Sequence, residues 1–350
     1  MVMIRPDNLL IIKPSSFGDI LHALPTVSAL RAVLPDAKIS WLVKAEWAEL
    51  LEGHPDLHEV IPVDFHVRSW WTIIATVRAR AFDCVVDLQG LFRSALIARL
   101  SAAPVRVGFA AGREGSSWLY THRIRLPSDG MATWRLQDMH AVDRNLEIAK
   151  WFGASVDMPR FVLPRLDHDR AAVNRLFAEA GVGRHDRLVA MAPISRQTMK
   201  CWPVGRFVEV AVALAKQKDI KIVLIGSSDD HAVAMRFPRA LGPACINLVG
   251  KTRICQLSLV FERMALLIAN DSGPIHVAAA CRVPVLACFG PTNPNATGPY
   301  GAGHVTMVSA TTACRPCGLR RCYNAHYLEC LDSIAVGDVV RQAKHLLAGA

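Results

Sequence analysis

The sequence predicts an α/β protein of two Rossmann-like domains facing across a cleft, and three observations carry that prediction. Short apolar runs alternate with stretches of helical periodicity along most of the 350 residues, the pattern of a parallel sheet covered on both faces. The rhythm lapses over residues 151–165, where Gly153, Pro159 and Pro164 fall. A chain of this length, 52% apolar, exceeds one ordinary core and fits two. The domains are placed at residues 1–160 and 161–350.

The elements follow in order. Residues 9–12 are an apolar run ending at Lys13 and Pro14 and read as a buried strand. After the polar turn Ser15-Ser16-Phe17-Gly18-Asp19, the residues Ile20, Leu21, Leu24, Val27, Leu30 and Val33 mark one helical face, which stops near Leu34 and Pro35. Residues 39–43, 60–63, 84–88 and 105–109 are further strands. A charged helix over 167–180 opens the second half, and strands resume at 188–192, 220–225, 246–249, 265–269 and 283–289. A last helix near 336–347 packs back onto the body. Such domains bind ligands at the carboxyl ends of their strands, so the cleft between two of them is the natural site.

Composition excludes several classes. No apolar stretch approaches the roughly 20 residues of a membrane span. Residues 9–12 are too short for a signal-peptide core, so the protein is expected in the cytoplasm. The net charge of +10 suits an anionic partner: a membrane surface, a phosphorylated glycolipid or a nucleic acid. The basic residues are dispersed and no nucleic-acid module is recognisable, which argues against the last. No G-x-G-x-x-G follows the first strand, which argues against a nicotinamide dehydrogenase. Ten cysteines in a cytoplasmic chain do not suggest a disulfide scaffold.

Four segments at strand ends carry chemistry. Asn270-Asp271-Ser272-Gly273-Pro274-Ile275-His276 opens a helix. Asp271 or Ser272 can cap it, Gly273 admits a close neighbour, and Pro274 fits the first turn. That helix end suits a phosphate, with His276 as a further donor, although the same residues make an ordinary capped helix. Ser195, Arg196 and Lys200 follow another strand and can bind phosphate oxygens or neutralise charge; they equally fit a polar surface loop. Gly226-Ser227-Ser228-Asp229-Asp230 offers a carboxylate for ribose hydroxyls. Phe289-Gly290-Pro291-Thr292-Asn293-Pro294 is a rigid turn after the last strand. All four can share one rim.

Five segments, in this order, resemble the lipopolysaccharide heptosyltransferases of glycosyltransferase family nine. They are Lys13-Pro14-Ser15-Ser16-Phe17-Gly18-Asp19-Ile20-Leu21-His22, Asp87-Leu88-Gln89-Gly90-Leu91, His140-Ala141-Val142-Asp143-Arg144, Lys200-Cys201-Trp202-Pro203 and Asp271-Ser272-Gly273-Pro274-Ile275-His276. The resemblance spans roughly residues 8 to 300 and implies a GT-B architecture, an ADP-heptose donor and no required cofactor. It also implies a metal-independent inverting mechanism and a lipid-linked acceptor such as Kdo-lipid A at the inner face of the cytoplasmic membrane. By the same resemblance, Ser195, Arg196 and Lys200 serve the diphosphate together with Ser272, Gly273, Pro274 and His276. Asp271 meets the donor sugar, Asp230 the ribose and Thr252 the adenine. Arg196 replaces a hydroxyl residue of the type I enzymes, and Asp230 stands for a glutamate.

The first domain is expected to hold the acceptor. Inversion needs a base for the acceptor hydroxyl, and Asp19 is the candidate; its other reading is a helix cap, and a helix N-terminus weakens a carboxylate as a base. Ser15 and Ser16 orient substrate groups or simply make the turn. Arg68, Arg93 and Arg113 suit Kdo carboxylates and lipid phosphates, and Arg113-Glu114 resembles an acceptor-binding pair of the type I enzymes. His140 lines the cleft or makes a structural hydrogen bond. Trp70 and Trp71 rest on a membrane surface or pack.

Near the C-terminus, Cys314, Cys317, Cys322 and Cys330 have metal-like spacing at their first pair. A structural zinc, a redox-labile cluster and reduced thiols in a folded loop all fit, outside the active site. Three other functions stay open. Another nucleotide-sugar transferase of the family differs only in donor; a nucleotide-sugar epimerase turns over donor without acceptor; a nucleic-acid- or zinc-binding protein is indifferent to Asp19→Asn.

Overall fold

The computed structural model describes residues 4–66, 69–127 and 139–349. The chain forms two compact units, Met1–Pro164 and Arg165–Ala350, each with one six-stranded parallel sheet.

In the first unit the strands are β1 Asn8–Ile12, β2 Lys38–Lys44, β3 Glu59–Val63, β4 Cys84–Asp87, β5 Val105–Phe109 and β6 His122–Ile124, in the order β3-β2-β1-β4-β5-β6. Leu9, Leu10, Ile11 and Ile12 are all fully buried. An unbroken apolar run without alternation is what burial on both faces requires. The connecting helices are α1 Phe17–Val33, α2 Trp70–Ala79, α3 Phe92–Leu100 and α4 Ala141–Trp151, and α1 packs along α4.

The second unit repeats the plan. Its strands are β7 Arg187–Ala192, β8 Ile220–Leu224, β9 Cys245–Asn247, β10 Met264–Asn270, β11 Val285–Phe289 and β12 Val305–Val308, ordered β12-β11-β10-β7-β8-β9. Helix α5 Asp167–Glu179 packs on the short helix Leu257–Phe261, while α6 Val204–Ala215 and the helices Gly273–Ala280 and Val336–Ala348 flank this sheet. Val339, Ala343 and Leu347 of the last helix join Phe207, Val210 and Leu214 of α6 in one apolar cluster. Burying the Val, Leu and Phe side chains among these contributes about 1.5–3 kcal/mol each before entropy is charged against it.

Two strands, β6 and β12, are not predicted by the sequence. Both are edge strands: β6 reads His-Arg-Ile, and β12 is only half covered. Neither has the apolar run that betrays an inner strand. The expected strand over 283–289 begins only at Val285, because the Val283 N–H closes the preceding helix on Ala278 O and Pro284 O accepts from Leu267. The strand expected over 246–249 ends at Asn247, whose side chain accepts the Val249 N–H and turns the chain.

The strand order reverses between β1 and β4 in the first unit and between β7 and β10 in the second. A crevice opens at the carboxyl ends of such strand pairs. The turns after β1 and β10 carry Asp19 and Asp271.

Candidate functional site

In the first unit, Asp19 lies in the first turn of α1, directly after β1. Its Oδ2 accepts from the Ser16 backbone N–H at 3.0 Å and from the Ser16 hydroxyl at 2.7 Å. Its Oδ1 lies 3.9 Å from Lys13 Nζ, and the side chain remains 39% exposed. Asp19 therefore holds the turn and presents carboxylate surface to solvent at once. Burial acts to raise its pKa, but Lys13, the two Ser16 donors and Arg144 outweigh it, so the group is held below the usual carboxylate range. It is ionised at neutral pH and able to accept a proton.

Lys13 and Arg144 stand in two of the family-like segments, and the sequence assigns neither a role. Lys13 ends the buried run of β1 at 3% exposure, and its ammonium donates to Leu88 O at 3.3 Å. Burial lowers its pKa, with Asp19 opposing and Arg144 reinforcing. Arg144, in the first turn of α4, lies over the Phe109 ring at 5.9 Å, and its buried Nε has no hydrogen-bond partner among the described residues. Burial lowers its pKa; Asp19 acts to raise it and Arg113 to lower it. A lysine terminating a fully apolar strand was the available signal for Lys13. Arg144 needed the α1–α4 packing.

The turn after β4 is rigid. The fully buried Asp87 accepts from Gln89 N–H at 2.8 Å and Gly90 N–H at 3.1 Å, and the Tyr120 hydroxyl donates to its Oδ2 at 2.7 Å. Burial pushes the Asp87 carboxyl up, against the donors that surround it. Gly90 takes a positive φ of 69°, and its carbonyl accepts from Arg113 N–H and the Ser116 hydroxyl.

Among the other residues expected on the acceptor side, Ser15 and Ser16 form the β1–α1 turn. Arg93 is exposed at the start of α3, over the Phe65 ring at 5.5 Å. Arg113 is exposed in the segment after β5, while Glu114 accepts the Phe92 N–H at 3.2 Å. His140 is the N-cap of α4: its Nδ1 accepts from Val142 N–H at 3.1 Å, and its ring meets His22 of α1 edge-on at 5.2 Å. Arg68 lies outside the described residues.

In the second unit the fully buried Asn270 ties two loops together. Its Oδ1 accepts the Trp202 N–H at 2.8 Å and its Nδ2 donates to Pro193 O at 2.7 Å. This brings the segment carrying Ser195, Arg196 and Lys200 to the end of β10. Lys200 Nζ pairs with Asp271 Oδ2 at 2.7 Å, with side chains 20% and 5% exposed. The Thr292 hydroxyl, from the turn after β11, donates to the same oxygen at 2.5 Å. Thr292 belonged to a recognised turn but had no expected partner. Ser195 Oγ donates to Asp271 O at 3.5 Å, and Arg196 is exposed.

The helix Gly273–Ala280 begins as expected, with Pro274 in its first turn. The expected side-chain cap is not made. Ser272 occupies the N-cap position, but its hydroxyl turns back to Asn270 O at 3.3 Å, and Asp271 is engaged by Lys200 and Thr292. No side chain therefore caps the first N–H groups of this helix, the arrangement that favours an anion. His276 is buried in its first turn.

Asp230 and Thr252 sit on turns that touch. Asp230 Oδ2 accepts from the N–H and hydroxyl of Ser227 at 2.8 and 3.0 Å. The Gly250 N–H donates to Gly226 O at 3.1 Å, and the missing side chain of Gly250 lets Ser228 approach, since a Cβ there would lie 3.1 Å from Ser228 Cα. Thr252 is half-buried just beyond.

All ten cysteines are free thiols. Burial pushes the Cys330 thiol up, and Cys314, Cys317 and Cys322 lie near enough to push it further. Among the described residues, no group of three or more His, Cys, Asp or Glu is arranged to hold a metal ion.

The profile of Glycosyltransferase family 9 (heptosyltransferase) matches residues 70–328. Lipopolysaccharide heptosyltransferase 3 of Escherichia coli (strain K12) is 28% identical over 79% of this chain and 80% of its own length. Lipopolysaccharide heptosyltransferase 1 of Pseudomonas aeruginosa is 28% identical over 90% of this chain and 87% of its own. The solved structure of E. coli ADP-heptose lps heptosyltransferase II has a TM-score of 0.77 at 22% identity, covering 98% of this chain and 99% of that one; at that identity the likeness is one of fold. Since the family profile covers well over half of the sequence, including the turns that carry Lys200 and Asp271, the chain belongs to glycosyltransferase family 9, the heptosyltransferases.

Proposed function

We propose that this enzyme transfers a heptose, with inversion, from ADP-heptose to the Kdo region of a lipopolysaccharide inner-core acceptor. The observation that carries the chemistry is Asp19: an ionised, solvent-reachable carboxylate at the strand-order reversal of the first unit, near the buried Lys13 and the half-buried Arg144. In the reaction the acceptor oxygen attacks the anomeric carbon as the bond to the β-phosphate oxygen breaks. Asp19 takes the acceptor proton. A carboxylate of lowered pKa suffices, because the hydroxyl becomes acidic only as its bond forms.

Charge accumulates on the departing diphosphate. Lys200 and the uncapped start of the helix Gly273–Ala280 offer it a cation and N–H groups, with Ser195 and Arg196 alongside. Asp271 meets the sugar hydroxyls. Asp230 and Thr252 serve the ribose and adenine. On the first unit, Arg144, Arg113 and Arg93 receive the acceptor's carboxylate and phosphate groups.

No helix among the described residues is long and apolar enough to cross a membrane. A lipid-linked acceptor therefore has to be met at a surface. Trp71 at the start of α2, 81% exposed, and the exposed Phe92 at the start of α3 follow the carboxyl ends of β3 and β4, on the rim that holds Asp19. Aromatic groups mixed with arginine suit an anionic lipid interface.

The test is ADP release with ADP-heptose in the presence and absence of Kdo-lipid A. Acceptor-dependent release, together with a raised acceptor KM and unchanged donor KM in Arg144→Met, supports the assignment. Release that ignores the acceptor points instead to donor-only chemistry.

A further inference from the structure

Residues 312–331, which bear the four clustered cysteines, take no part in the site as described, yet they grip it from both sides. Arg315 donates from Nε to Gly290 O at 2.8 Å and from its terminal nitrogen to Thr292 O at 3.4 Å. The Gly318 N–H donates to Pro291 O at 2.8 Å. Leu331 lies so close over Gly290 that a Cβ there would come within 2.8 Å of its Cγ. On the other side the Tyr327 hydroxyl reaches Met199 Sδ at 4.0 Å, one residue before Lys200. Every carbonyl of the 290–292 turn is therefore held by this segment, and that turn presents the Thr292 hydroxyl to Asp271.

We propose that residues 312–331 act as a strap on the donor site and that Arg315 is its positioning residue. The inference rests on the reading of Asp271 and Lys200 as donor-binding groups. Thr292 and Lys200 both address Asp271 Oδ2, at 2.5 and 2.7 Å. A hydroxyl fixed there shares the oxygen's charge and loosens its hold on Lys200, freeing the ammonium for an incoming diphosphate. Arg315 fixes the hydroxyl indirectly: its planar fork holds the carbonyls on either side of Pro291 at a set angle. Once the fork is gone, the turn relaxes, Thr292 leaves Asp271, and Lys200 stays in its internal pair.

The experiment compares wild type with Arg315→Ala, Arg315→Lys and Thr292→Val. Hydrogen exchange reports on the strap whatever the donor. In Arg315→Ala, amides over 288–293 and 198–202 are expected to exchange about tenfold faster, the worth of one charge-assisted hydrogen bond, with β1–β6 unchanged. In turnover, the KM for ADP-heptose rises about tenfold while kcat moves much less. Arg315→Lys does not restore it, because an ammonium cannot supply the fork. Arg315→Ala combined with Thr292→Val is no worse than Thr292→Val alone. Unchanged exchange over 288–293, or a lowered melting temperature with donor KM unmoved, overturns the proposal. A wild-type enzyme inactive with ADP-heptose contradicts the donor assignment instead, and the exchange measurement then decides the strap by itself.

Discussion

The Lys200–Asp271 pair gives the sharpest energetic prediction. The two groups are 2.7 Å apart, with 20% and 5% of their side chains exposed. At that distance the gross attraction is about 6 kcal/mol for an effective dielectric of about 20 and about 1.5 kcal/mol in bulk water. Desolvation offsets much of the larger figure. Lys200→Met leaves the Asp271 carboxylate buried with Thr292 as its remaining side-chain donor, and should cost about 3 kcal/mol, the low end for breaking a buried pair. Asp271→Asn leaves an ammonium that can turn towards water, and should cost about 1–2 kcal/mol. In the double variant neither charge is stranded, so the coupling should be about 2 kcal/mol. Seven of the eight tryptophans lie in the first unit, so urea unfolding is followed by hydrogen exchange of the β7, β8 and β10 amides, which reads the unit that holds the pair. Additivity within about 0.5 kcal/mol would refute the claim that these residues share one charge interaction.

Other expectations concern the first unit. Because the folded Asp19 carboxyl lies below its ordinary range, transfer should persist on acidification past about pH 4, the usual aspartate value, and fall only as pH drops through the lowered pKa. Lys13→Met removes the largest lowering influence and should move that acid limb to higher pH; an unmoved limb in the pH–rate profile would unseat the Lys13–Asp19 assignment. The stability that Asp19 contributes follows the same sign, present above the ordinary range and lost as pH falls through the folded value. Tyr120→Phe deprives buried Asp87 of a 2.7 Å donor and should cost about 1–3 kcal/mol in chemical denaturation. Gly108→Ala places a methyl 2.4 Å from the Tyr120 ring and should cost a similar about 1–3 kcal/mol by overpacking.

The inner strands of both sheets were legible because burial on two faces writes an unbroken apolar run, as in Leu9 to Ile12. Edge strands carry no such mark, which is why His122–Ile124 and Val305–Val308 emerged only with the fold. The turns bearing Asp19, Lys200 and Asp271 could be found because each follows a strand end; within the first unit topology puts Asp19, and within the second Lys200 and Asp271, where the strand order reverses. Their partners were not legible. Arg144 reaches Asp19 from more than a hundred residues away through α1–α4 packing, and Thr292 reaches Asp271 from the next strand end. Ser272 stands at a helix start in a residue type that favours capping, yet its hydroxyl bonds backwards. Local preference cannot foresee that outcome, because Lys200 and Thr292 already claim the neighbouring carboxylate. The role of the cysteine-bearing segment was likewise invisible, since its grip runs through Arg315 to a turn more than twenty residues upstream.

The central claim is that Asp19 deprotonates the acceptor during heptose transfer. Its most direct test is ADP release by Asp19→Asn and wild type, with ADP-heptose, with and without Kdo-lipid A. Asparagine keeps an acceptor for the Ser16 N–H and so preserves the turn. The account predicts acceptor-dependent release in wild type that falls by about a hundredfold or more in the variant, the scale of a lost general base, with donor affinity unchanged. Release by Asp19→Asn at the wild-type rate would contradict it.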